Sequence, residues 1–89
     1  MNIDEKVAAY AEILKNSKMR QAIDDIDLFI SWGTLSREYF GKSASWMYHK
    51  LDGIDGNGGK GGFTPEEMQL FKGALSDLAD RIRRVADKL

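Results

Sequence analysis

Apolar residues recur along this chain at spacings of three and four, the period of helices that bury one face. In residues 3–16 the stripe is Ile3, Val7, Tyr10 and Leu14, and Asn2 stands as an N-cap with Glu5 three residues later. A second stripe, Met19, Ile23, Ile26 and Ile30, follows, with Asp24, Asp25 and Asp27 on its solvent side. No proline separates the two, so two helices and one bent helix both fit. Residues 31–40 predict a third helix with Trp32, Leu35 and Tyr39 inward, weakened at Gly33 by roughly 1 kcal/mol relative to alanine.

Next comes the pattern with the most functional content. Gly41 can take a left-handed turn, Ser43 is a good N-cap, and Gly53 is a natural stop, which brackets a short helix over residues 44–52. Ala44, Met47 and Leu51 share one face of it, while Ser45, His49 and Lys50 lie on the other. Residues 53–62 contain six glycines and predict a connector loop. Thr64, Pro65 and Glu67 then set out a capping box with proline at the first helical position. Beyond them Met68, Phe71, Leu75, Leu78, Ile82, Val85 and Leu89 form a heptad seam along a helix over residues 64–89. With no strand pattern, the expected class is all-α: four or five helices in one domain, with a helix-turn-helix at 31–53 and a long C-terminal helix.

Composition narrows the function classes. A chain of 89 residues makes one domain with a modest core, and without cysteine it has neither disulfides nor thiolate metal sites. The acidic start Met1-Asn2-Ile3-Asp4-Glu5 leads into no apolar signal region, and no apolar run is long enough to span a membrane, so a cytoplasmic protein is expected. Thirteen basic against fourteen acidic residues give a net charge of -1, which argues against nucleic acid because a dedicated DNA binder is often clearly basic, although residues 37–50 alone carry +2. The turn and the short helix are the most basic local region.

Other chemistries fit poorly. In the glycine-rich loop Lys60 is followed by Gly61, and Ile54 occupies the place of the first glycine of a P-loop. An EF-hand register would put Lys60 where glycine is obligatory. His49 is the only histidine, so it cannot found a histidine metal cluster. Asp24, Asp25 and Asp27 do not converge at helical spacing and predict a solvated face. The run Arg81, Arg83, Arg84 and Lys88 suits the end of a helix, where cations complement the dipole. No catalytic constellation, cofactor or small-molecule substrate is expected.

A helix, a glycine turn and a short helix with a polar, basic face are what major-groove reading requires. The segment from Leu35 to Gly53 resembles the helix-turn-helix of phage-repressor-like and Cro-like regulators. It departs from them at Lys42, where those families usually place an apolar residue, and at Ser36, which lies five residues before Gly41 instead of the usual four. The run from Ile30 to Glu67, with "YFGKSASWMYHKL", "GNG" and "FTPEE", is similar to a family of short uncharacterised Bacteroidetes proteins, and that likeness implies no biochemical function.

The expected activity is therefore double-stranded DNA binding in a phage-related or mobile-element regulatory setting. Arg37, Lys42, Ser43, Ser45, His49 and Lys50 would form the DNA face. Trp46, Tyr48 and Lys60 are further candidates for touching DNA or a partner, with burial of Trp46 and a simple connector at Lys60 as the plainer readings. The far half of the last helix would overhang so small a core, which makes Ile82, Val85 and Leu89 a candidate homodimer seam, the plainer alternative being that the helix over residues 3–16 covers it within one chain. The competing class is a protein-interaction module with the same fold that does not touch DNA.

Overall fold

The computed structural model describes residues 17–54 and 61–89. The helix expected over 3–16 and the candidate residue Lys60 lie outside the described residues. Among the described residues the chain is helical with no β-strand: α1 (Lys18–Ile23), a 3-10 turn (Asp27–Phe29), α2 (Trp32–Leu35) continuing into a π-helical turn (Ser36–Phe40), α3 (Ala44–Asp52) and α4 (Pro65–Lys88). The all-α expectation holds.

The stripe over 19–30 does not form one helix. α1 stops at Ile23, three turn residues follow, and the 3-10 turn ends at Ile30 in extended backbone. Asp27 explains much of this. It keeps partial access to solvent but is also tied inward: its carboxylate accepts the indole N–H of Trp32 at 2.6 Å and lies 3.7 Å from Arg20. A continuous helix would carry Asp27 away from the Trp32 that needs a polar partner once buried.

Ser31 caps α2 by accepting the Thr34 N–H, so the helix starts at Trp32. Its second half widens: the N–H groups of Gly41 and Lys42 both reach the Ser36 carbonyl, five and six residues back. A π turn holds one residue more than an α turn. That extra residue accounts for the unusual spacing of Ser36 and Gly41, because a residue five before the glycine now sits beneath the turn. Ser36 is fully buried there, its hydroxyl 3.1 Å from the Lys42 carbonyl and 2.9 Å from that of Ser43. Gly41 takes the left-handed conformation at φ 65° that ends the helix. Gly33, a liability for helix propensity, has a packing reason: a Cβ there would stand 3.1 Å from that of Ala44, so its absence lets α2 and α3 approach closely.

α3 has the boundaries its caps predict. Ser43 accepts the Trp46 N–H, and Gly53 at φ 74° closes the far end. Met47 and Leu51 are fully buried and join Ile23, Trp32, Leu35, Phe71 and Ala74 in the core. α1 lies across the end of α3: Ser17 donates to the Leu51 carbonyl at 2.8 Å, and Arg20 pairs with the buried Asp52 at 2.8 Å. α4 opens on the expected capping box between Thr64 and Glu67. Its seam is covered only along the first half. Every residue from 81 to 89 is exposed.

Candidate functional site

Burial of Met47 and Leu51 fixes the rotation of α3 and so decides which side chains face out. Ser45 and Tyr48 are exposed and His49 is half-buried beside them. Ser43 is exposed, with its oxygen occupied in capping Trp46. Lys42 projects from the turn. Arg37, on the π turn after α2, folds back along its own helix: its guanidinium is 3.4 Å from the Thr34 hydroxyl and lies beside the close approach of Gly33 to Ala44, next to the first turn of α3. One cation, Arg37, thus lies beside the first turn of α3, and the exposed Lys42 precedes that turn by two residues.

Lys50 does not belong to this face. Its ammonium donates to the Gly62 carbonyl at 3.0 Å and to Glu67 at 2.8 Å, and it lies 5.3 Å from the centre of the Trp46 ring. The expectation that Lys50 faces a partner is corrected: it joins α3 to the start of α4. Spacing on α3 could not reveal this, because the neutralising carboxylate is on another helix. Trp46 is half-buried within a cluster formed with Phe40 (5.1 Å between ring centres) and Phe63 (6.3 Å). Tyr48 instead faces outward under the Arg20 guanidinium, 5.8 Å from its ring centre. Sequence periodicity missed Arg20 as a neighbour of this face. Ile82, Val85 and Leu89 are exposed on the far half of α4, away from the α3 helix that the Lys50 pair joins to α4 near its start.

The Glu67 carboxylate oxygen that accepts Lys50 also accepts the Thr64 N–H at 2.8 Å. The Lys50 hydrogen bond, then the Thr64 N–H, hold its pKa below the ordinary 4.5. A carboxylate with a lowered folded-state pKa stabilises the fold above its ordinary value and loses that contribution as pH falls through the folded one. Acid unfolding of Glu67→Gln, followed by circular dichroism, is therefore expected to depend less on pH below 4.5 than that of the wild type. Identical acid limbs would show that the pair contributes nothing.

Among the described residues no group of three or more histidine, cysteine or acidic side chains could hold a metal ion, and no helix is long and apolar enough to cross a membrane. The arrangement defines a small all-α domain whose short third helix is presented by a pinned glycine turn. The chain belongs to a family described as a domain of unknown function (DUF5053), whose profile matches residues 19–89. No curated protein and no solved structure matches it.

Proposed function

We propose that this chain is a non-enzymatic, intracellular DNA-binding domain of helix-turn-helix type that lays the N-terminal half of α3 in the major groove, in a phage-related or mobile-element regulatory setting. The observation that carries this reading is the outward face of α3. Core packing holds its rotation, and Ser36 pins both carbonyls of the turn that leads into it. In this reading Ser45, Tyr48 and His49 meet base edges, and Arg37 and Lys42 reach flanking phosphates. The resemblance to phage-repressor-like motifs read from the sequence supports the same reading; the π turn absorbs the Ser36–Gly41 spacing, and Lys42 stays a departure from those motifs. Since Lys50 is neutralised by Glu67, the residues proposed to touch DNA are Arg37, Lys42, Ser43, Ser45, Tyr48 and His49. One observation favours the second reading, a protein-interaction module: the exposed apolar half of α4.

Titration against fluorescent duplexes at two salt concentrations separates the two. A DNA reader loses affinity steeply as salt rises, whereas an interaction module shows no duplex affinity even at low salt. Lys42→Ala and Arg37→Ala are each expected to weaken all duplexes alike and to lower the salt slope by about one unit. Ser45→Ala and His49→Ala should shift preference among sequences, by roughly 1–3 kcal/mol for each base edge no longer read. Lys50→Ala should leave the slope unchanged. Absence of duplex binding at low salt would end the DNA reading.

A further inference from the structure

α4 leaves the core beside a mostly apolar groove of about 320 Å³, lined chiefly by Phe29, Ile30, Leu35, Leu78 and Ile82, with Glu38 and Arg81 among its polar members. On one side of it stand two large apolar side chains with no cover, Leu28 at 95% and Phe29 at 84% exposure. On the other, the α4 tail carries Ile82, Val85 and Leu89 into solvent. Contiguous apolar exposure of this kind on a small domain marks a surface that binds something.

Charge identifies the occupant. Residues 81–89 hold Arg81, Arg83, Arg84 and Lys88 against Asp87 alone, a net of +3. Arg81 is engaged within the chain by Tyr39 at 3.2 Å, whose own hydroxyl donates to Asp77 at 2.5 Å. Arg83, Arg84 and Lys88 remain for a partner. The turn that leads to Leu28 and Phe29 carries exposed Asp24 and Asp25. One chain therefore presents both halves of a complementary pair: a basic apolar tail, and an acidic apolar turn with a groove beside it.

We propose that a second copy of this chain occupies the groove. The two α4 tails run antiparallel about a twofold axis, each laying Val85 and Leu89 along the other's groove and setting its cations against the other's Asp24 and Asp25. Such an interface is isologous: the same patch serves both subunits, and each charge pairing occurs twice. The proposal does not depend on DNA binding, and its test contains no DNA.

Sedimentation of the full chain decides it. The wild type is expected to be a dimer at micromolar concentration, and Ile82→Asp and Phe29→Ser are each expected to be monomers. Both positions are exposed, so an unchanged helical circular dichroism spectrum should accompany the loss. Joint reversal of Asp24 and Asp25 to lysine, or of Arg83 and Arg84 to glutamate, should weaken the dimer by roughly tenfold. Combining the two reversals in one chain should restore it. A wild-type monomer at about 100 µM, where a dimer of micromolar affinity would be nearly fully assembled, overturns the proposal. So does a dimer that survives Ile82→Asp, or one indifferent to Phe29→Ser and to both charge reversals.

Discussion

Replacement of Arg20 by alanine is expected to cost about 3 kcal/mol of folding stability, near the lower end of the 3–5 kcal/mol range for breaking a buried ion pair from one side. The loss would come mainly from what is left behind. The Asp52 side chain is only 5% exposed and sits in the last turn of α3, where the helix dipole already disfavours negative charge. Arg20, with 15% of its side chain exposed, donates to that carboxylate at 2.8 Å and also approaches Asp27. Deleting it strands one buried carboxylate and weakens the anchorage of a second. Replacing Arg20 and Asp52 together by methionine and leucine should cost less than Arg20→Ala alone, since no uncompensated charge remains. Urea unfolding of the three proteins measures this. A loss below about 1 kcal/mol for Arg20→Ala would place the pair among surface ion pairs of little consequence.

The ends of α3 and α4 were legible because short-range chemistry sets them. Ser43 and Gly53 bracket one helix, and Thr64, Pro65 and Glu67 open the other, each through bonds to residues a few positions away. The break after Ile23 was not legible. Apolar spacing continues smoothly to Ile30, and the reason to stop is tertiary: Trp32 takes Asp27 as its partner. A local sign was nonetheless present, since Leu28 and Phe29 fall off the 19–30 stripe and could not both have been buried by it.

The proposed site divides along the same line. Outward Ser45 and inward Met47 and Leu51 follow from helical period, and the structure places them so. The fate of Lys50 depends on Glu67, seventeen residues away, and of Trp46 on an aromatic cluster that includes Phe63. Local pattern fixes the face of a helix but not what crosses the gap to the next one. The π turn lies between these cases. The Ser36–Gly41 spacing shows in the sequence as an irregularity, and the hydrogen bonds to the Ser36 carbonyl show that widening the helix accommodates it.

The largest single loss is expected from Trp32→Ala, about 3–5 kcal/mol as for other large aromatic truncations in cores. Trp32 is 2% exposed, and its ring packs 5.9 Å from that of Phe71, joining the start of α2 to α4. Its indole N–H also holds Asp27 at 2.6 Å and so closes the turn that displays Leu28 and Phe29. Trp32→Phe separates the two roles. It keeps most of the ring packing and removes the hydrogen bond, which leaves Asp27 with Arg20 at 3.7 Å. About 1–3 kcal/mol is expected for that substitution, since a bond to a charged acceptor is removed while the carboxylate keeps access to water. Chemical unfolding followed by circular dichroism gives both numbers, and Trp46 supplies a second signal in each variant. A domain of this size has on the order of 5 kcal/mol to lose, so Trp32→Ala should keep only about 0–2 kcal/mol and be partly unfolded at room temperature, while Trp32→Phe stays folded. If the two variants were equally destabilised, the hydrogen bond to Asp27 rather than packing on Phe71 would be what holds α2 in place.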